Sequence, residues 1–480
     1  MIFGKTWKVA LIGVSLVLML CGMAWSQINW NAPKPWPERL LADKYILPEG
    51  WKEAVKGVEK IVFINSGSLA GDIATCMNML RFEELTGIKV EAIPATPGEA
   101  LSKGLTVLTT GDTSVHAVLA NNPTFDLATL AATGKLSPVD DFWPEEVKAL
   151  YNPNMANYLG WDGHYYLLPM TYIGHPIFYR KSWLEEIGAG LPSSFAELTQ
   201  IGEKLREVKP EGYYPLIFTG TNPDIFETFL PLVYSQGRLM FENGRYHFDS
   251  PEAKNALSWL VEIIKKGLAP PESITWNFAG AGDFFSTGKA GFVLGLSSGT
   301  AYGFKVSPEV GTDFGAIAPP KWAPDTPDEH AGKGTVGCNS MVINSAIADN
   351  YKAALKLFGD YLRSLEAQRN ELFVEGNDSG LLYLWENAEE EIKKVDWNLA
   401  KRAAEELGIT APTPVDSTAD IPGFEGRREA ALKAAFEIYP PGFNEIADVF
   451  VEVLAQAIQG EITVDEALQM VQEKADETLQ

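Results

Sequence analysis

Gly295-Leu296-Ser297-Ser298-Gly299 matches G-x-S-x-G, a pattern that presents a serine nucleophile when a strand turns sharply into a helix. An esterase built on it needs a helix next, then an acid and a histidine further along. Thr300-Ala301-Tyr302-Gly303 is a poor helix start. The one later histidine, His330, follows too closely to leave room for the rest of a hydrolase sheet. The five histidines (His116, His164, His175, His247, His330) lack zinc-helix spacing, and neither a CxxC pair nor an Asp-rich calcium loop occurs. The runs Asp140-Asp141, Glu145-Glu146 and Glu389-Glu390-Glu391 read as solvated faces or caps, not as a glycosidase pair. The residues therefore assign no catalytic group, no metal and no cofactor.

A second set of residues suits binding without reaction. Trp161, Trp276, Phe278, Tyr302, Trp322 and Phe443 fall in stretches without a periodic apolar face. Sugar rings pack their C–H faces on aromatic rings, and their hydroxyls need fixed polar partners. Asn121, Asn122, Asp224 and Asn339 supply such partners. Burial of each ring in its own domain is the alternative reading.

These residues need a frame. Ile61–Ile64 reads as a strand, a helix follows from Asp72 to Leu85 with Gly87 as its stop, and Ile88–Ile93 is the next strand. Strand–helix–strand at this spacing implies a parallel sheet covered by helices. Val115–Leu119, Lys289–Leu296 and Met341–Ile343 are further buried strands. Ser194-Phe195-Ala196-Glu197 and Thr463-Val464-Asp465-Glu466 are capping boxes. Pro251 opens a helix that ends at Lys265-Lys266-Gly267, and later helices fall at 349–368, 388–407, 426–437, 444–459 and 464–478. The class is α/β, and sites in such folds lie in the crevice beyond the carboxyl ends of the strands.

The chain of 480 residues is 46% apolar, which excludes disorder over its whole length and allows two or three cores. Residues 1–26 read as a secretory signal: Lys5 and Lys8, an apolar run from Val9 to Ala24, then small residues before Gln27. A retained anchor and a lipidated Cys21 are the alternatives; Leu20 disfavours the second. Without the signal, 37 basic residues face 63 acidic ones, a net charge of −26. Such a chain repels phosphate backbones, so no nucleic-acid partner is expected. Cys76 and Cys338 allow one disulfide in an exported protein; two buried thiols are the other reading. Residues 27–55, rich in Trp and Pro, read as an irregular arm held by its tryptophans.

The order of several segments resembles the extracellular solute-binding family of bacterial ABC importers, in its maltose-binding-protein-like sugar group. They are Ile64-Asn65-Ser66-Gly67, Phe82-Glu83, Thr86-Gly87-Ile88-Lys89-Val90, Tyr166 through Pro169 to Phe178-Tyr179-Arg180, and Gly188 with Leu191-Pro192. Phe285-Ser286-Thr287-Gly288-Lys289-Ala290 and the tail from Phe443 to Leu468 complete the set. The resemblance implies a two-lobed periplasmic-binding-protein fold of type II, with three crossovers near Thr171, Ala318 and Leu365. One lobe would hold 56–171 and 319–365, the other 172–318 and 366–480. It implies a monomer in the periplasm or at the cell surface that carries a carbohydrate, an oligosaccharide in length, to a membrane permease. Ligand contacts would fall at Ser66, Gly67 and Ser68, at Asn122, at Asp224 and Phe226, at Phe278, near Tyr302 and at Phe443. A secreted hydrolase and a binder of a non-sugar solute are the alternative functions.

Overall fold

The computed structural model describes residues 27–66, 72–95, 97–120, 123–153 and 160–480. The expected signal at 1–26 lies outside them. Three hydrophobic clusters organise the chain, one beneath the lobe 1 sheet and two on opposite faces of the lobe 2 sheet.

Lobe 1 carries β1 (Lys60–Ser66), β2 (Lys89–Ala95), β3 (Ala117–Ala120), β4 (Leu167–Pro169) and, much later, β11 (Ser340–Ile343). Their order is β2-β1-β3-β11-β4. The first three run parallel, with Phe63 opposite both Ala92 and Ala117; β11 is antiparallel to β3 and β4. The helix Ile73–Thr86 makes the expected crossover. Asp72 caps it by accepting the Thr75 amide at 2.9 Å, and Gly87, at φ 75°, ends it.

In lobe 2, β6 (Ile177–Tyr179), β7 (Tyr214–Phe218), β8 (Ala290–Leu294) and β9 (Gly315–Ile317) form a sheet in the order β9-β6-β8-β7. Only β7 and β8 are parallel within it. Between the lobes, β5 (Ile173–Gly174) pairs antiparallel with β10 (Val336–Gly337), so two chain crossings lie side by side. The Thr463–Glu466 capping box is complete. At Ser194 the serine caps Glu197 as expected, but the Glu197 carboxylate accepts from Ser193 instead.

Two expected lobe boundaries are corrected. The second crossing lies at 334–337, not at Ala318. Residues beyond Ala318 stay on lobe 2, where Lys321 bridges Ser194 and the Trp322 amide donates to Ser235. The third crossing comes after Ala434, not near Leu365. Residues 366–434 pack mainly on lobe 1, because the helix Trp397–Leu407 turns Leu399, Ala400, Ala403 and Ala404 onto that core and Arg402 reaches Glu84 at 2.7 Å. The helices Phe443–Gln459 and Val464–Thr478 then close lobe 2.

Within this added segment the helix Phe424–Lys433 braces the crossings. The Ala431 carbonyl accepts from Asn152 and Tyr172 at 3.1 and 3.2 Å, and Arg427 reaches Asp378 at 3.2 Å. Gly426 has to be glycine here: a Cβ would stand 1.8 Å from the Ala316 carbonyl of β9.

The arm at 27–55 is more ordered than expected, with short helices at Trp36–Leu40 and Trp51–Ala54. Trp30 stacks on Trp36, which is buried against lobe 1, as the aromatic content implied. Cys76 and Cys338 are free thiols, not a disulfide. Burial pushes them up to about 11 and about 12. Among the described residues no helix is long and apolar enough to cross a membrane.

Candidate functional site

Beyond β3 and β8, two segments reach the opposite lobe, on two sides of the crevice between the lobes. On one side of it, β3 runs into the helix Pro123–Ala131, whose Thr124 carbonyl accepts the Tyr439 amide at 3.0 Å. Phe125 from that helix enters the lobe 2 core and stacks on Phe443 with ring centres 5.2 Å apart. On the other side, the loop after β8 meets β5 of the first crossing and the lobe 1 segment around Asp378. The Ser298 amide donates to the Gly174 carbonyl at 3.0 Å, and its hydroxyl donates to the same carbonyl and to Asp378. Gly299 lies so close to Asn377 that a Cβ would stand 2.7 Å from its Oδ1.

Behind Asn377 is a buried group of acids. Glu371 accepts from Asn377 and from Asn78, each at 2.9 Å. Glu375 accepts the Ile73 amide at 2.9 Å and also bonds to Asp72, just past the loop that follows β1. In lobe 2, Asp224 accepts the Phe278 amide at 2.7 Å, and Glu227 lies 3.2 Å from His175.

Burial is the largest influence on Asp72, Glu371 and Glu375. It raises the pKa of each, and the charge of Asp72 raises the two glutamates further. Asp224 is also raised, first by burial and then by Glu227. A carboxyl with a higher pKa in the folded state destabilises the fold as pH climbs from about 4.3 through the raised value, and acid reverses the effect. The wild type should therefore melt higher at pH 5.5 than at pH 7.5. Glu375→Gln keeps an acceptor for Ile73 and removes the charge, so it should gain roughly 1 kcal/mol at pH 7.5 and flatten the pH dependence. A glutamine variant that is less stable at pH 7.5, with the slope unchanged, would contradict this account.

The structure distributes the expected site residues unevenly. Gly67, Ser68, Asn121 and Asn122 lie outside the described residues, and Ser66 is placed only as the last residue of β1, opposite Ala95. Asp224, Trp276 and Phe278 are brought together as one wall: the Trp276 carbonyl accepts from Gly220, and its ring stacks on Phe284. Tyr302 is half-buried, within the electrostatic reach of Glu375. Trp161 sits in a short hairpin against the lobe 1 core.

Two expectations are corrected by packing. Phe226 and Phe443 are 0% and 1% exposed, 4.9 Å apart inside the lobe 2 core, so their faces are covered by other rings. Trp322 packs on Phe195. Asn339 belongs to the crossing, where its carbonyl accepts from Met170 and Thr171. The expected poor helix start after the G-x-S-x-G segment is also corrected, since Thr300–Val306 is helical. No triad accompanies it: His330 lies over Gly237, and the buried serine bonded to an acid is Ser298.

Sequence reasoning missed Asp72, Glu371, Glu375, Asn377 and His175. A signal existed for the two glutamates. Glu371 and Glu375 flank Leu372-Phe373-Val374, and carboxylates interleaved with a fully apolar triplet point to burial.

Residues 67–369 match the model of the bacterial extracellular solute-binding protein family. The chain belongs to that family. Among curated relatives, an uncharacterized ABC transporter extracellular-binding protein from Pyrococcus horikoshii is 24% identical over 202 residues, 41% of this chain. That match spans 45% of the relative, so this solute-binding protein aligns with about half its length. Solved structures of the same fold include maltose-bound MalE3 of T. maritima, with TM-score 0.67, 19% identity, and coverage of 87% of this chain and 99% of that one. A cyclic α-maltosyl-1,6-maltose binding protein from Arthrobacter globiformis gives TM-score 0.68, 16% identity, and coverage of 88% and 99%. A solute-binding protein from Thermotoga lettingae bound to α-D-tagatose gives 0.67, 19%, 88% and 100%.

Proposed function

We propose that this protein captures a carbohydrate between its lobes and delivers it to the membrane permease of an ABC importer. It acts as an exported monomer, with 1–26 as its export signal, and performs no chemistry on the solute. The observation that supports this reading is the pairing of half-buried rings with acids, Phe278 beside Asp224 in lobe 2 and Tyr302 within the electrostatic reach of Glu375. Three structural neighbours are described by the sugar they hold or bind. A carboxylate accepts from sugar hydroxyls, and Trp161, Trp276, Phe278 and Tyr302 offer ring faces. Ser66 at the end of β1, and Gly67, Ser68, Asn121 and Asn122 next to β1 and β3 in sequence, would add polar contacts. A solute touching both lobes favours the closed state, because all its contacts exist only there.

Thermal unfolding of residues 27–480 against mono- and oligosaccharides tests this. A sugar at about a thousand times its dissociation constant should add roughly 4 kcal/mol to the native state, and it should be recovered unchanged. Recovery of cleaved sugar would instead make the protein a hydrolase, and no shift across the panel would end the carbohydrate reading.

A further inference from the structure

A pocket of about 260 Å³ opens beside the crevice, between the helix Thr300–Val306 of lobe 2 and the added segment on lobe 1. Tyr302 and Val306 form one wall; Phe373, Trp397 and Pro412 form the other; and Arg427 lies at the side of the brace helix. Glu375 belongs both to this pocket and to the acid group at the start of Ile73–Thr86, so pocket and crevice share a wall. We propose that the pocket holds an apolar ring at one end of the captured solute, which makes that solute a glycoside with an aromatic or alicyclic end group. This rests on the carbohydrate reading of the crevice.

Three observations support it. The walls are mostly carbon, whereas another sugar unit would need a partner for each hydroxyl it buried. Polar side chains are the minority of the lining, namely Lys305, Glu375, Thr410, Thr413 and Arg427, and they suit a ring that carries a polar substituent. The rim is apolar and left uncovered, with Val306 63% exposed and Ile409, next to the lining residue Thr410, 41% exposed. The volume has room for such a group, since an apolar cavity of about 150 Å³ holds benzene, and a helix about 10 Å across would not enter. Because the walls come from both lobes, filling the pocket favours closure.

The test uses residues 27–480 and paired probes, the methyl and 4-nitrophenyl glycosides of common mono- and disaccharides, titrated calorimetrically. The nitrophenyl member of a binding pair should bind about ten-fold more tightly than its methyl partner. Val306→Trp, which fills the mouth from an exposed position, and Trp397→Ala, which removes a wall, should each cut that ratio to about three-fold or less. The ratio is the readout, so a variant that misfolds is recognised by the loss of both ligands. Equal binding of the two members, or a preference that survives both variants, overturns the proposal and leaves carbohydrate capture standing. Binding of neither member of any pair overturns both readings.

Discussion

Asp360→Ala should destabilise the protein by about 3–5 kcal/mol, because it leaves two buried guanidinium groups without their shared anion. Asp360 is fully buried at the end of the helix Asp349–Leu362. It pairs with Arg39 at 2.8 Å and Arg363 at 3.1 Å, and it accepts from the Trp36 indole and the Tyr45 hydroxyl, each at 2.6 Å. Burial by itself would raise this carboxyl. The two arginines and the two hydrogen bonds outweigh it and hold the carboxyl below its ordinary value. A carboxyl lowered in this way contributes stability above about pH 3.9, and that contribution is lost as pH falls through the lowered value. Three of the partners, Trp36, Arg39 and Tyr45, come from the arm, so the same change should also loosen residues 27–55. Thermal unfolding with limited proteolysis measures both effects. A variant that melts within about one degree of the wild type, with an equally resistant arm, would show that the network carries little of the fold.

The second large effect is expected at Phe443. Its ring lies between Phe125, Tyr439 and Phe226, with centres 5.2, 4.3 and 4.9 Å away. Phe443→Ala should cost about 3–5 kcal/mol of stability, the range for deleting a buried aromatic side chain. Phe125 reaches this cluster from lobe 1, so the cavity would open at the contact between lobes. Any change in solute affinity should then follow the change in stability and be reduced by Phe443→Leu, which restores much of the volume. A variant as stable as the wild type that nevertheless loses binding would put Phe443 back at the solute, where the sequence alone had placed it.

Local rules carried much of the frame. The Asp72 cap, the Gly87 stop and the two apolar runs around them specified the first parallel unit, because each acts within a few residues. The helices Pro251–Lys265, Phe443–Gln459 and Val464–Thr478 were legible for the same reason. The stretch expected to be helical at 388–407 breaks near Ile392–Val395, where the chain turns so that Trp397–Leu407 can lie on lobe 1. Periodicity states that a helix has an apolar face; it does not state which core receives it. That is why the sequence places residues 366–434 on the wrong lobe and reads Phe443 as a loop ring.

The sequence by itself determined the class of fold, the solute-binding family and the kind of side chain available for a sugar, since these follow from local patterns and their order. The tertiary structure alone decided which rings are covered, which acids are gathered together and where the chain crosses between lobes. Burial and electrostatic coupling depend on residues hundreds of positions apart, such as Trp36 with Asp360 or Asp72 with Glu375. Their proximity exists only once the cores have formed.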